Sequence, residues 1–323
     1  MQDQFLALQR FIERADRLLV GTHQSPDGDA LGSSLAFCLY LEQIGKPFEF
    51  LCSDSAPKHL AFLPGVNLLR TEPSRTEFSY GVVLDLPILS RIGRVREPFE
   101  KLGHLALLDH HVLLDQPVEV LLHDQSASAT AVIVARYLKT IGARITPDIA
   151  TCLLTGIITD TGSFRFRNVN SECLSLASEL VDAGGDFFEI NDSIFQSRPI
   201  SSANLQAKLL TRIQYECDER IAWSFLTFQD FEETGASDDQ TEGFANELLS
   251  LQPVEIAAFI REAYPGRIKV SLRSRNGIDV SAAARDFGGG GHLVAAGCTF
   301  SETTLSSAAH QLIERLKLCL ESC

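Results

Sequence analysis

The chain has 323 residues, of which 45% are hydrophobic and 22% charged, and its formal net charge is −14. That length predicts two domains with real cores, and the lack of an apolar run of about 18 residues excludes a transmembrane helix. An acidic chain without a dense Lys/Arg run has no track for long nucleic acid, which needs basic residues to release counterions; a short phosphorylated ligand stays open, because bound cations can supply positive charge locally.

Phe5, Leu8, Phe11 and Ile12 recur at helical spacing within residues 4–15, and Leu18–Thr22 reads as a buried strand running into His23. The small-residue stretch after Asp29 predicts a closely packed helix over 30–42, ended by Gly45-Lys-Pro, and Phe48–Cys52 is a short strand. Gly81–Leu86 and Leu105–Leu108 are continuous apolar runs, as expected of central parallel strands. Helices are predicted over 128–141, over 148–160 after Pro147, and over 171–183 before Gly184-Gly185. Strands alternating with helices define an α/β doubly wound sheet, whose ligands sit at the carboxyl ends of the strands.

Character changes after about residue 188. Residues 200–212 read as a polar-faced connecting helix, Ile221–Phe228 as a strand, and about 243–250 as a helix. Val254–Ile260 and Lys269–Arg273 alternate like strands around a Pro265-Gly266 turn, 281–287 is a short helix before Gly288–Gly291, and 305–320 is an amphipathic helix. The division expected is a catalytic domain over 1–187, a helical linker over 188–213 and a smaller α+β domain over 214–323. Eight scattered cysteines without a C-x-x-C pair predict reduced, buried thiols rather than a cysteine zinc site. An N-terminus lacking the basic and apolar regions of a secretory signal fits the same cytoplasmic expectation.

Four separated segments are rich in metal-binding side chains: His23-Gln-Ser-Pro-Asp27-Gly-Asp29, Val82-Val-Leu-Asp85, Leu107-Leu-Asp109-His110-His111 and Ile157-Ile-Thr-Asp160-Thr-Gly. Residues two apart in an extended loop point the same way, so Asp27 and Asp29 can face one cavity with His23; a solvated turn capping the helix at 30–42 is the alternative, and both stay open. A mixed His/Asp set suits Mn²⁺, Zn²⁺ or Fe²⁺ better than a purely oxygen-loving ion. Asp109 beside two histidines after an apolar strand would be costly to bury without a cation or partner. Such numbers of carboxylates and imidazoles point to two divalent cations and phosphate-ester hydrolysis.

The order and spelling of these segments resemble the DHH phosphoesterases, specifically the DHH–DHHA1 branch of oligoribonucleases (nanoRNases) and 3′-phosphoadenosine 5′-phosphate phosphatases. The carrying strings are His23–Ser33, Asp85 with Arg91 downstream, Asp109-His110-His111, Asp160-Thr-Gly-Ser-Phe, and Phe287-Gly-Gly-Gly-Gly-His292 with Ala295-Ala-Gly297, and they span essentially the whole chain. The resemblance implies a parallel-sheet DHH domain and an α+β DHHA1 domain facing each other across the active-site cleft. It implies one Mn²⁺ on His23, Asp27 and Asp85 and a second on Asp29, Asp85, His110 and Asp160, with Asp85 shared and Co²⁺ or Mg²⁺ as substitutes. Asp109 would orient a neighbouring imidazole and His111 would contact the scissile phosphate. In the small domain, Arg273, Arg275, Gly290, Gly291 and His292 would hold the far phosphate of a short substrate. Arg165 and Arg167 stay open between substrate contact and a solvated face.

The substrates implied are RNA oligomers of a few units and 3′-phosphoadenosine 5′-phosphate, with no membrane partner and with a homodimer by analogy. A cyclic or linear dinucleotide phosphodiesterase and a catalytically silent nucleotide-binding regulator are the alternatives. Leu86-Pro-Ile after Asp85 and Val112-Leu-Leu after His111 depart from the family pattern without removing a ligand.

Overall fold

The computed structural model describes residues 2–74, 77–112 and 117–321, so Met1, Leu113, Leu114 and Cys323 lie outside the described residues. The chain forms two compact units, Met1–Ser197 and Arg198–Cys323. Residues 188–213, read above as a linker, are shared between them. Among the described residues no helix is long and apolar enough to cross a membrane.

The first unit runs α1 (Gln2–Arg14), β1 (Leu18–Gly21), α2 (Gly28–Gln43), β2 (Phe48–Leu51), β3 (Leu69–Arg70), β4 (Tyr80–Leu84), α3 (Arg96–Glu100), β5 (His104–Asp109), β6 (Val120–His123), α4 (Thr130–Thr140), α5 (Pro147–Asp160), α6 (Ser171–Asp182) and α7 (Phe187–Asn191). Its sheet has the order β3-β2-β1-β4-β5-β6, and the recorded strand pairs are all parallel. Val82, Leu84, Ala106 and Leu108 face a core shared with α1, α2, α4 and α5. Leu19, Leu51, Val83 and Leu107 face a second core with Ile92, Val95 and Phe99. Burial on both faces is why these strands read as unbroken apolar runs rather than as alternation. The strand order reverses direction between β1 and β4, so the chains leaving their carboxyl ends part there and open a crevice.

The second unit runs α8 (Ile200–Leu210), β7 (Gln214–Glu216), β8 (Ile221–Leu226), α9 (Phe228–Thr234), α10 (Phe244–Leu249), β9 (Ile256–Tyr264), β10 (Arg267–Ser274), α11 (Val280–Asp286), β11 (Gly290–His292), β12 (Ala295–Ser301) and α12 (Leu305–Glu321). Its sheet order is β11-β12-β10-β9-β8-β7, antiparallel except for the β8–β9 pair. Alternate residues of β9 serve opposite faces: Ile256, Ala258 and Ile260 join α11 and α12, while Ala257 and Phe259 join α8, α9 and α10. α8 thus buries Leu205 and Leu209 in the second unit's core rather than standing as an isolated connector. The strands at 290–292 and 295–301 are not predicted by the sequence pattern, because a ladder is made by backbone pairing and needs no apolar signal.

Candidate metal centre

The four segments of the first unit meet at the carboxyl edge of its sheet. His23 follows β1, Asp85 follows β4, and Asp109 is the last residue of β5. Asp85 sits in the left-handed backbone region at φ 54°, a conformation costing on the order of 1 kcal/mol for a residue with a Cβ. Its amide is held by the Leu108 carbonyl at 2.9 Å, so the neighbouring strand enforces the turn that throws the carboxylate into the crevice. His23, Asp29, Asp85 and Asp109 are all buried, whereas Asp27 is exposed.

Asp27 does both things that the sequence left open. Its Oδ1 caps α2 by accepting from the Asp29 and Ala30 amides, and its Oδ2 lies 3.8 Å from His23 Nε2. Asp29 points the other way. Its two oxygens accept from the Thr130 amide (2.6 Å) and the Ala131 amide (2.9 Å), so it caps α4 from 101 residues away. That helix has no side-chain cap of its own and no acidic residue in its first turn. Close approach of α5 confines Asp29 further: a Cβ on Gly156 would fall 2.5 Å from Asp29 Oδ1 and 2.7 Å from the Ala131 Cβ.

Three groups of potential ligands result, each within 4.8 Å internally: His23, Asp27 and Asp85; Asp85, His110 and His111; and Asp29, His110 and Asp160. His23 Nε2 stands 3.5 Å from Asp85 Oδ2, and His110 Nε2 stands 3.1 Å from Asp160, 3.7 Å from Asp85 Oδ1 and 3.9 Å from Asp29. Most of these separations are too long for hydrogen bonds and suit an ion between the atoms, since two ligand bonds of about 2.1 Å span up to about 4 Å. The other nitrogen of each ring is engaged by a carbonyl, His23 Nδ1 with Gln24 O at 2.8 Å and His110 Nδ1 with Ala127 O at 3.2 Å. This is the orientation that frees Nε2 for a cation. Asp109 Oδ1 accepts from the His111 amide and from His111 Nδ1 (2.8 Å), while its buried Oδ2 has no hydrogen-bond partner among the described residues.

The electrostatics match this donor set. Burial, with Asp85 and Asp160 beside it, holds Asp29 well above the usual carboxylate range. Burial likewise pushes Asp160 up to about 6. Burial also works on Asp85, but contact with His23 and the charges of His111, His23 and His110 outweigh it and leave this group below its ordinary value. Burial opposes charge on the imidazoles, yet Asp85 and Asp27 hold His23 up to about 9, and Asp160, Asp29 and Asp85 hold His110 up to about 10. Protons on these rings offset carboxylate charge where divalent cations would do so more fully.

Sequence reading missed three supports. Thr130 donates its hydroxyl to Asp85 Oδ1 at 2.9 Å. His123 has Nε2 on the His111 carbonyl at 2.7 Å. Asn168 joins the carbonyls of Asp160 and Ser128, both at 3.0 Å. The available signal was α4 itself, a helix start without an acidic residue and so in need of a distant carboxylate.

The second unit holds the other residues singled out. Arg273, on β10, is half-buried, donates to the Leu272 carbonyl at 2.9 Å, and is held below the ordinary guanidinium value by burial. The Arg275 guanidinium is engaged by the Leu249 carbonyl. Gly290, Gly291 and His292 form the exposed edge strand β11, with Gly290 opposite Gly297, Gly291 opposite Ala296 and His292 opposite Ala295. Gly291 has φ 143°, and a Cβ there would meet the Ala295 carbonyl at 2.5 Å, so pairing with β12 by itself demands glycine.

A carboxylate–imidazole centre at the switch point of a parallel sheet, followed by a separate mixed-sheet unit, defines a two-unit α/β protein built for divalent cations. Residues 17–157 match the DHH family, N-terminal domain, and residues 219–322 match the DHHA1 domain. The chain belongs to the DHH family, in the branch that carries a DHHA1 domain. It is 32% identical over 305 residues to the bifunctional oligoribonuclease and PAP phosphatase NrnA of Thermus thermophilus, covering 93% of this chain and 89% of that protein. The NrnA of Bacillus subtilis is 24% identical, covering 90% and 92%. The cyclic-di-AMP phosphodiesterase GdpP of Geobacillus thermodenitrificans is 27% identical, but the chain spans only 48% of it. The crystal structure of an exopolyphosphatase-related protein from Bacteroides fragilis superimposes with a TM-score of 0.91 at 27% identity, covering 100% of this chain and 96% of that one.

Proposed function

We propose that the protein is a metal-dependent phosphoesterase that hydrolyses short oligoribonucleotides to mononucleotides and 3′-phosphoadenosine 5′-phosphate to AMP. The observation that carries the reading is the convergence of three ligand groups on Asp85 and His110, in a chain matched along 93% of its length by an oligoribonuclease and PAP phosphatase. The mixed donor set suits Mn²⁺, Zn²⁺ or Fe²⁺, and the resemblance to the DHH phosphoesterases is what favours Mn²⁺ among them. His23, Asp27 and Asp85 would hold one cation, and Asp29, Asp85, His110 and Asp160 the other. What the cations supply when bound is neutralisation of charge on the phosphoryl oxygens and a water acidic enough to attack at neutral pH.

The protein's own groups do the rest. Asp109 fixes the His111 tautomer by accepting at Nδ1, which leaves Nε2 as the nitrogen that can hold a proton near the leaving oxygen. Arg273 and the backbone of Gly290, Gly291 and His292 would bind the distal phosphate, with Arg275 a weaker candidate because its guanidinium already has a carbonyl partner. Free cysteines along the chain support a reducing, cytoplasmic setting.

The test is a turnover panel with added Mn²⁺: diribonucleotides, longer oligomers, 3′-phosphoadenosine 5′-phosphate, cyclic dinucleotides and pyrophosphate. Cleavage of diribonucleotides and of 3′-phosphoadenosine 5′-phosphate is expected. Cleavage of cyclic dinucleotides alone would move the reading to that class, and no turnover with Mn²⁺, Co²⁺ or Mg²⁺ would overturn it.

A further inference from the structure

Thr130 is the first residue of α4 and is fully buried. A threonine hydroxyl in a helix ordinarily bonds back to a carbonyl one turn earlier. Thr155, Thr159 and Thr161, around the end of α5, all do so. Thr130, at a helix start, instead donates to Asp85 Oδ1 at 2.9 Å, and its amide donates to Asp29 Oδ2 at 2.6 Å. One residue therefore grips two carboxylates that belong to different ligand groups.

The hydroxyl also settles how the Asp85 carboxylate is turned. Oδ2 faces His23 Nε2 at 3.5 Å, while Oδ1, the atom that Thr130 holds, faces His110 Nε2 at 3.7 Å and His111 Nδ1 at 3.4 Å. A hydrogen bond uses one lone pair of Oδ1 and leaves another for a cation. The bond from its amide to Asp29 fixes the Thr130 backbone at the helix start, and from there the hydroxyl reaches Asp85. We propose that Thr130 is a positioning residue that divides the Asp85 carboxylate between two cation positions, one oxygen to each, and fixes the spacing of Asp85 to Asp29. Without the hydroxyl, the carboxylate is free to rotate and present both oxygens to a single ion. The proposal rests on the two-cation reading above.

The test is a Mn²⁺ titration of the full chain by calorimetry, with electron paramagnetic resonance to separate free from bound ion. Wild type is expected to take up two equivalents. Thr130→Val keeps the amide and the shape but removes the hydroxyl, and its second binding step should weaken about 10- to 100-fold while the first persists. Thr130→Ser should restore both steps. If Thr130→Val fails to fold, Thr130→Ala takes its place with the same expectation. A Val or Ala variant that titrates like wild type would overturn the proposal, as would a Ser variant as weak as Val, since the methyl packing would then be what matters. A wild-type chain that binds no Mn²⁺ would remove the two-cation reading and this proposal together.

Discussion

Each unit buries carboxylates, but the two are compensated differently. In the second unit, Asp230 is buried and saturated. Both its oxygens take guanidinium hydrogens from Arg212, Lys208 lies 3.2 Å away, and the Thr227 amide and hydroxyl donate at 2.8 Å. In the first unit, Asp29 and Asp85 face amides, one hydroxyl and imidazoles, and among the described residues no Lys or Arg partners them and Asp109 Oδ2 has no hydrogen-bond partner. A carboxylate buried with fixed cations is a structural joint; one buried with titratable rings is left short of positive charge. The difference teaches where a divalent cation belongs, because only the second arrangement gains from one.

Exchanging the two kinds of site should separate function from stability. Asp85→Ala is expected to abolish both Mn²⁺ uptake and diribonucleotide cleavage while leaving the unfolding of the second unit unchanged. Calorimetric titration, turnover and hydrogen exchange would check this together, and a variant with full turnover would erase the contrast. Asp230→Ala should do the reverse. Removing one partner of a buried ion pair costs about 3 kcal/mol, at the low end because Arg212 and Lys208 are partly solvated, and it should appear as earlier denaturant unfolding of the second unit with Mn²⁺ uptake intact.

The same carboxylate gives a pH signature. Although burial pushes it upward, Arg212 and Thr227 hold Asp230 below its ordinary value of 3.8. Its stabilisation is therefore complete above about pH 5 and is lost as the pH falls toward the lower folded value. Acid unfolding of Asp230→Ala should show a shallower slope over that window, and an unchanged slope would assign the acid sensitivity elsewhere.

Gly156→Ala probes how closely the first unit's helices must meet. The added methyl would overlap Asp29 Oδ1, so a loss of about 2 kcal/mol from overpacking is expected, with weakened metal uptake beyond what the stability change explains. Wild-type uptake in this variant would show that Asp29 tolerates displacement. The smallest effect belongs to Arg273→Ala. Loss of one charge-assisted bond should raise KM about tenfold with little change in kcat. Unchanged KM and unchanged length preference in steady-state kinetics would remove the clamp from this residue.

Much of this was legible in the sequence. The parallel strands announced themselves through double-faced burial, α1, α2, α5 and α12 through spacing and boundary residues, and the acidic segments through their residue types and order. The short strands at 120–123, 290–292 and 295–301 were not legible, since backbone pairing leaves little mark on composition. The role of Thr130 was hidden because a hydroxyl at a helix start has an ordinary local explanation until its partner is known. Gly291 is ambiguous in the sequence for another reason: a phosphate loop and a close strand pairing call for the same residue type.

By itself, then, the sequence determined which side chains could bind cations and that three of their four segments would end strands of a parallel sheet, because chemistry and hydrophobic pattern are properties of the residues in order. Only the tertiary structure decided how they share the work. Asp29 turned to α4 and not to its own helix, Asp27 split between a cap and the side facing His23, and Asp85 offered one oxygen to each neighbouring group. Those choices depend on the meeting of α2, α4 and α5 over distances of about a hundred residues in the chain, and no local pattern carries that information.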